Sequence, residues 1–275
     1  MKDKDLLQLA EARGLGNNGS PLVCGMKTDA RFEVKTGLSL NIEDVHLWRA
    51  DIPGMTACVP RWMPMLSADE QMRAGRFHHA VDRNRFVVVR AMLRQILGSY
   101  LGKDPQKLSF RYLEKEKPAL GEEEMASDIA FNVSHSGEIA LLAFGRNREI
   151  GVDVEQFRPS TDTQTIAKRF FSPNEQRQLA ALAQQEREEG FFRCWTRKES
   201  FIKATGKGLS LPLRDFDVSL EPGDHDALLA TRPNPLERTR WRLCDLPVET
   251  GYAAALCVSG TDWRLVEKSE RECGA

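Results

Sequence analysis

The chain of 275 residues lacks the long apolar runs and the cysteine spacing that mark several protein classes. No stretch approaches the roughly eighteen apolar residues of a membrane-spanning helix. The opening residues Met1–Asp5 are charged, whereas a signal peptide carries an apolar segment. We therefore expect no membrane span and a cytoplasmic location. The six cysteines form no C-x-x-C pair, so neither a zinc site nor a disulfide framework is predicted.

An excess of charge of one sign is also missing. The formal net charge is −1, so no overall attraction to nucleic acid or to an anionic membrane is expected. The sequence has neither a Walker loop nor a dinucleotide fingerprint. A Gly-x-Ser-x-Gly elbow is absent, and Ser134 and His135 are adjacent in the chain. Hydrolysis by a Ser-His-Asp triad is therefore a poor fit.

What is present is a composition with 41% hydrophobic and 29% charged residues, typical of a globular protein with one large or two moderate domains. Apolar residues at three- and four-residue steps predict a long helix over residues 82–101, and Ser67 with Glu70 is a capping-box signature. Strands are predicted at 131–133 and 139–144 around a turn at 134–137, and 152–154 is predicted to extend that sheet. In the second half, helices at 174–189 and 191–204 precede predicted strands at 216–220, 240–243 and 253–258.

Helices and short strands in both halves predict an α+β fold of two similar lobes that meet near residue 148. Residues 1–40, rich in Gly, Asn and Lys, are expected to form a loosely ordered N-terminal extension. Residues 41–148 would form an N-terminal α+β lobe and residues 149–260 a C-terminal α+β lobe that carries the metal site. Residues 261–275 would be a C-terminal tail.

Two carboxylates follow a glycine in the predicted strand Ile150–Glu155. On a strand, Asp153 and Glu155 point the same way, while Val152 and Val154 point into a core. A partly exposed strand with alternating polar residues is the common interpretation of this pattern. The pair also suits Mg²⁺, which one or two carboxylates hold together with phosphate oxygens. The preceding glycine would let a ligand or another backbone come close.

The stretch Phe192–Lys203 is the most informative part of the chain. On a helix, Trp195, Glu199 and Lys203 project from one face. A solvated Glu199–Lys203 ion pair is the ordinary interpretation of this spacing. Bulky residues on several sides, however, indicate a mostly buried helix, where a glutamate has to be paired or bound to metal. Two strand carboxylates and one helix carboxylate beside a lysine would suit a hard cation and a bound diphosphate.

Basic and hydroxyl groups elsewhere allow two interpretations. Ser134–Gly137 is either an exposed turn or an anion-binding concavity built from amides, a hydroxyl and an imidazole. The arginines between Arg73 and Arg94 are ordinarily solubility charges on helices. One or two of them could reach a polyanionic ligand, because the guanidinium fork suits phosphate. Lys117, which precedes Pro118, is ambiguous in the same way.

Taken together, these stretches closely resemble the 4′-phosphopantetheinyl transferases of the Sfp type. The resemblance is carried by Phe131–Gly137, Ile150–Glu155 and Trp195–Leu213, whose order and separations are similar to those of the family. It extends over residues 44–258. Family members often have Gly-Lys-Pro where this chain has Glu116-Lys117-Pro118.

The resemblance implies two pseudo-symmetric α+β lobes in one chain, with coenzyme A and Mg²⁺ in the cleft between them. Such an enzyme transfers the 4′-phosphopantetheine arm of coenzyme A to a serine hydroxyl of an acyl, peptidyl or aryl carrier protein. It releases adenosine 3′,5′-bisphosphate. The expected partners are therefore coenzyme A and a carrier protein, with no nucleic acid and no membrane, and the chain is expected to act as a monomer.

By motif position, the resemblance implies Asp153, Glu155 and Glu199 as metal ligands. Lys203 would hold the diphosphate and assist its departure, and either Glu199 or Glu155 would take the proton of the carrier serine. The expected catalytic residues are thus Glu199, Lys203 and Glu155. The expected coenzyme-binding residues are Lys203, Ser134 and His135, the latter two at the nucleotide 3′-phosphate, together with Arg73, Arg85 and Lys117.

Two other functions stay open from the residues alone. One is a non-catalytic protein that binds coenzyme A or a nucleotide, although a pure binder has no need of the whole set of carboxylates and lysine. The other is a metal-dependent diphosphate hydrolase, which would use the same carboxylates on water.

Overall fold

The computed structural model describes residues 37–112, 118–124, 126–232 and 234–268. Most of the expected extension, residues 1–36, lies outside the described residues. The described strands are β1 Asp44–Asp51, β2 Phe110–Tyr112, β3 Pro118–Leu120, β4 Ile129–Ser136, β5 Ile139–Arg146, β6 Ile150–Gln156, β7 Phe216–Val218, β8 Leu228–Thr231, β9 Trp241–Asp245, β10 Tyr252–Ser259 and β11 Arg264–Lys268. The described α-helices are α1 Ile52–Met55, α2 Val59–Trp62, α3 Ala68–Gly75, α4 Ala80–Leu101, α5 Thr163–Phe170, α6 Pro173–Ala181 and α7 Arg187–Thr205. Short 3₁₀ segments lie at Thr56–Cys58, Met63–Met65, Pro105–Lys107, Glu122–Glu124, Gln184–Glu186, Gly208–Ser210, Leu213–Asp215 and Pro235–Arg240.

The N-terminal half builds a four-stranded sheet in the order β11-β1-β5-β4. Strands β1 and β11 are parallel, and the other neighbours are antiparallel. The predicted long helix is present as α4, and it packs on one face of the sheet around Trp48, Leu142 and Phe144. The predicted capping box is also present, with the Ser67 amide donating to Glu70 over 3.0 Å at the start of α3. The α+β fold is thus confirmed in this half, and β11 adds a strand from the expected tail.

The C-terminal half repeats the plan with a three-stranded antiparallel sheet in the order β6-β10-β9. Helix α7 covers this sheet, and its rings Phe191 and Phe201 pack in a core with Trp241 and Leu243. Two further hairpins, β2-β3 and β7-β8, lie outside the main sheets. Within the four described ranges no helix is both long enough and apolar enough to cross a bilayer. The residue boundaries of the predicted lobes stay predictions.

An apolar core joins the two sheets. It combines Val45 and Leu141 from the first sheet with Val152, Val154 and Leu256 from the second. Strand β5 is buried on both faces, because its alternate residues pack either on α4 or on the second sheet. This double burial explains the unbroken apolar run at 139–144. Each half therefore places its long helix on the outside and its sheet toward the other half.

Two predictions about the central strands are wrong. Strand β4 continues through Ser136, so Ser134 and His135 lie on a strand and the turn contains only Gly137 and Glu138. Strand β6 does not extend the β4–β5 sheet, because its backbone ladder is with β10. The same contacts explain both differences. The polar side chains of β4 bond to the edge of β6 that does not pair with β10. These bonds keep β4 extended through Ser136, and they stand where a backbone ladder between β4 and β6 was expected.

The predicted helix at 174–189 is wrong in its end point. Helix α6 stops at Ala181, because Leu182 adopts an extended conformation with ψ of 148°. A 3₁₀ turn follows, and α7 begins at Arg187. A Cβ on Gly190 would lie 2.4 Å from Leu182 Cδ1, so Leu182 packs directly onto α7. No glycine or proline marks this break in the sequence.

Gly151 sets the distance between α7 and β6. A Cβ at this position would lie 2.0 Å from the carbonyl oxygen of Ser200 and 2.4 Å from the amide nitrogen of Ala204. Both neighbours are backbone atoms, which cannot move without moving the helix. The close approach expected from this glycine is therefore that of α7.

Replacing Gly151 with alanine should separate α7 from β6. We expect Gly151→Ala to lower the free energy of unfolding by at least about 2 kcal/mol, because overpacking against backbone leaves no flexible atom to yield. Gly75→Ala is the matched control, since nothing lies within 4 Å of its Cβ position, and it should stay within about 1 kcal/mol of wild type. Urea unfolding compares the two variants. Equal stability of both would show that α7 is not held at this distance.

Candidate active site

The carboxylates predicted on β6 lie on the face that α7 covers. Lys203, near the end of α7, places its Nζ 2.6 Å from Asp153 Oδ1. The same ammonium donates to Ser134 Oγ over 3.0 Å and to the carbonyl oxygen of Val152 over 3.3 Å. The Lys203 side chain is 28% exposed and that of Asp153 only 5%. The ion pair therefore has a buried acid and a base that reaches solvent.

Asp153 carries an oxygen that the fold leaves unsatisfied. Its Oδ1 accepts hydrogen bonds from Ser134 and Lys203, but its buried Oδ2 has no hydrogen-bond partner. Burial raises the pKa of Asp153, and the charge and hydrogen bond of Lys203 oppose that rise. A buried polar atom without a partner is rare in folded proteins and points to a role in ion or ligand binding.

Glu155 lies two residues further along the same strand face. Its Oε2 accepts a hydrogen bond of 2.8 Å from Ser136 Oγ. Burial, and next the negative charge of Asp153, raise the pKa of Glu155 to about 7, while the Ser136 hydrogen bond opposes the rise. Without a cation, this carboxyl gains or loses its proton near neutral pH.

Lys203 keeps its charge in spite of its surroundings. Burial lowers the pKa of its amine, but the charge and hydrogen bond of Asp153, followed by the charges of Glu199 and Glu155, raise the pKa above its ordinary value. Three acidic groups therefore act on one ammonium. The lysine can neutralise an anion that enters from the exposed side.

A row of polar side chains connects β4 to β6. The amides of Val152, Val154 and Gln156 on β6 donate to three side-chain oxygens of β4. The acceptors are Asn132 Oδ1 at 2.9 Å, Ser134 Oγ at 3.3 Å and Ser136 Oγ at 3.1 Å. The two sheets are thus bridged by side chains at the point where the carboxylates lie.

Glu199 lies on α7 one turn before Lys203, and its side chain is half-buried. A buried ion pair fixes α7 on its core side. Lys198 Nζ lies 2.7 Å from Glu175 Oε1 and donates to the carbonyl oxygens of Leu213 and Phe216, with neither charged side chain exposed. Lys198 is buried in the core, whereas the next residue, Glu199, is half-buried and its charge acts on Lys203.

The described part of the chain contains no group of three His, Cys, Asp or Glu side chains placed to hold a metal ion. The structure brings Asp153 and Glu155 together on β6 and Glu199 next to Lys203 on α7. The use of all three carboxylates by one ion therefore stays a prediction.

His135 and Arg85 lie on the N-terminal side of the same site. Loss of hydration against the surrounding protein, followed by the positive charges of Arg85 and Lys203, lowers the pKa of His135 to about 4. Arg85 Nη1 lies 2.9 Å from Asp82 Oδ1, while the buried Nε of Arg85 has no hydrogen-bond partner. The imidazole is thus neutral at ordinary pH, and the charges of two cations, on α4 and α7, act on it.

The remaining basic residues predicted for the site differ in what the structure describes. Arg73 on α3 lies over the ring of Phe86, with its guanidinium carbon 5.4 Å from the ring centroid. Phe86 follows Arg85 in the chain, so Arg73 lies beside the same part of α4. Lys117 lies outside the described residues.

The sequence interpretation assigned no role to Asn132 or Ser136. Both are buried and bonded to β6. The signal in the sequence is the spacing of Asn132, Ser134 and Ser136 at every second residue, which on a strand places all three on one face. The turn predicted at Ser134 concealed this pattern.

Two family models match the chain. The model described as the 4′-phosphopantetheinyl transferase superfamily matches residues 149–257. The model described as 4′-phosphopantetheinyl transferase, N-terminal, matches residues 56–146. The first range contains both carboxylates of β6 and the Glu199–Lys203 pair, and the second contains Arg73, Arg85 and the serines of β4.

Curated relatives agree with these matches. The chain is 38% identical over 227 residues to the 4′-phosphopantetheinyl transferase HetI of a Nostoc strain, which covers 82% of this chain and 92% of that protein. It is 36% identical over 190 residues to the putative 4′-phosphopantetheinyl transferase slr0495 of a Synechocystis strain, covering 69% and 75% of the two chains. It is 33% identical over 204 residues to the 4′-phosphopantetheinyl transferase Sfp of Bacillus subtilis, covering 74% and 86%.

The two family models and the relatives together identify a class of transferases, and the chain belongs to the 4′-phosphopantetheinyl transferase superfamily. It is an enzyme that transfers the phosphopantetheine moiety of coenzyme A to carrier proteins, which confirms the predicted function.

The raised pKa of Glu155 predicts how stability depends on pH when divalent ions are removed with EDTA. The folded protein binds the Glu155 proton more tightly than the unfolded chain does. The contribution of Glu155 to the free energy of unfolding should therefore fall as pH rises from 4.5 to about 7. Glu155→Gln has no carboxyl to titrate, so its free energy of unfolding should not fall in this way. Across the same pH range the variant should gain about 1–3 kcal/mol of stability relative to wild type, a range reduced because Glu155 is partly exposed.

Urea unfolding at about pH 4 and about pH 8, on either side of that window, measures the gain. Glu123→Gln, which removes an exposed glutamate, controls for the change in net charge. If the stability difference between Glu155→Gln and wild type is the same at both pH values, the raised pKa is wrong.

Proposed function

We propose that this transferase binds Mg²⁺ at Asp153, Glu155 and Glu199, holds the coenzyme A diphosphate with Lys203, and transfers phosphopantetheine to a serine of an acyl, peptidyl or aryl carrier protein. The single observation that carries the proposal is the Asp153–Lys203 contact between β6 and α7. It puts a buried carboxylate beside a permanently charged ammonium, at the place where both lobes meet.

Two features of the residues fit a magnesium ion. The donors are carboxylate oxygens, which this hard cation prefers, and one of them, Asp153 Oδ2, is buried without a partner. Magnesium is commonly held by one or two carboxylates and completed by substrate phosphates and water. Asp153 and Glu155, together with Glu199 from α7, would form such an incomplete set of ligands. When bound, the ion would stabilise negative charge on the diphosphate.

The reaction forms a bond between the serine oxygen of the carrier and the phosphorus that carries pantetheine. It breaks the bond from that phosphorus to the adenosine 3′,5′-bisphosphate oxygen. Glu199 or Glu155 accepts the serine proton, directly or through water. The Lys203 ammonium neutralises the diphosphate and the leaving oxygen.

The N-terminal lobe supplies the proposed nucleotide side of the site. His135 and Arg85, with Arg73 held over Phe86, offer hydrogen-bond donors and positive charge for the 3′-phosphate and diphosphate. Lys117 is proposed to join them on grounds of its sequence position alone. Ser134 is the remaining residue proposed at the nucleotide.

The proposed carrier partner is acidic, as carrier proteins are as a class. The segment from Met72 to Arg85 contains four arginines and one aspartate, and its apolar residues Met72 and Val81 are 60% and 66% exposed. Val81 immediately precedes Asp82, whose carboxylate bonds to Arg85 of the site. We place carrier docking at this basic and apolar rim, and we propose a cytoplasmic monomer.

Removing the metal ligands tests the proposal. We expect Asp153→Ala and Glu199→Gln, each of which removes a proposed metal ligand, to lower transfer by about 100-fold or more, as does the loss of a group that stabilises transition-state charge. Intact-mass measurement of an apo carrier protein, incubated with enzyme, Mg²⁺ and coenzyme A, follows the adduct. Glu188→Gln, an exposed glutamate on the same helix, should transfer at the wild-type rate.

Wild-type turnover by Asp153→Ala at ordinary Mg²⁺ would remove this carboxylate from the mechanism.

A further inference from the structure

The hydroxyls of Ser134 and Ser136 each act as both acceptor and donor of hydrogen bonds. Ser134 Oγ accepts the amide of Val154 and donates to Asp153 Oδ1 over 2.9 Å. Ser136 Oγ accepts the amide of Gln156 and donates to Glu155 Oε2 over 2.8 Å. Each serine hydroxyl thus accepts a hydrogen bond from one backbone amide of β6. It donates a hydrogen bond to the side-chain carboxylate of the residue before that amide.

This double use fixes where each hydroxyl proton points. A serine hydroxyl has one proton and two acceptor positions. Because an amide N–H must donate, the hydroxyl accepts there, and its proton goes to the carboxylate. At Ser134 the second acceptor position is filled by Lys203 Nζ at 3.0 Å, which completes its hydrogen-bonding capacity.

The row also explains why β6 keeps a free edge. Strand β6 makes its backbone ladder with β10, so the amides of Val152, Val154 and Gln156 are directed toward β4. Buried amides have to be paired, and the side chains of Asn132, Ser134 and Ser136 pair them. The three side chains are 4%, 7% and 5% exposed, so water cannot take their place. His135, between the two serines, points to the opposite face of β4.

We infer that Asn132, Ser134 and Ser136 form a polar zipper that positions the metal-binding carboxylates, with Ser136 as the positioning residue of Glu155. The N-terminal lobe thereby sets the orientation of ligands that the C-terminal lobe carries. The inference rests on the proposed function, because orientation matters only if the carboxylates bind a cation.

Isosteric variants at Ser136 give the direct test. Ser136→Thr keeps the hydroxyl, and Ser136→Val has nearly the same shape without it. With Mn²⁺ as the probe and coenzyme A present, we expect electron paramagnetic resonance titration to show weaker binding to the valine variant than to the threonine variant. The difference should be about tenfold or more, as for other groups that orient metal ligands. Ser136→Ala should resemble the valine variant.

Ser99→Ala is the matched control. Ser99 is a buried serine that accepts the amide of Leu38 in the N-terminal lobe. This variant should bind Mn²⁺ as tightly as wild type, even if its melting temperature falls as much as that of Ser136→Ala.

Equal Mn²⁺ affinity of the threonine and valine variants would overturn the inference and leave the proposed function standing. Loss of affinity in Ser99→Ala as well would also overturn it, since any loosened serine would then act alike. Failure of the wild-type protein to bind Mn²⁺, with transfer intact, would overturn the proposed metal use and the zipper's role together.

Discussion

The contact between Lys203 and Asp153 is the interaction on which the rest of the structure depends. It joins α7 to β6, and through Ser134 it reaches β4 of the other lobe. A buried carboxylate without a partner would cost several kcal/mol, so the lysine has to lie where it does. Two neighbouring structural features preserve this contact. Gly151 lets α7 approach β6, and the Lys198–Glu175 pair fixes the rotation of the helix.

The site requires both lobes, because its side chains come from strands and helices of each. Each lobe has a sheet with one long helix outside, and an apolar core fills the space between the sheets. At the edge of that core, β4 and β6 run together without a backbone ladder between them and are connected by polar side chains. Polar groups at a lobe boundary make the site sensitive to how the lobes are placed. The same boundary collects cations from three elements, which suits a diphosphate with an additional phosphate.

Much of this site could be predicted from the sequence, because period-two and period-four spacing fix which side chains share a face. Asp153 and Glu155 on one strand, and Glu199 and Lys203 on one helix, followed from spacing alone, and the family followed from the same motifs. The zipper could not be predicted, because a run of Ser, His, Ser and Gly is typical of a turn. The break at Leu182 depends on tertiary packing against Gly190 and has no local signal.

The central claim is that Asp153 and Glu155 bind one divalent ion beside Lys203. Anomalous X-ray scattering from crystals grown with Mn²⁺ and coenzyme A tests it most directly. The account predicts one manganese peak in direct contact with carboxylate oxygens of Asp153 and Glu155, and coenzyme diphosphate within hydrogen-bond reach of Lys203. Bound coenzyme A with no manganese peak at these carboxylates, or with the peak on other residues, would contradict the account.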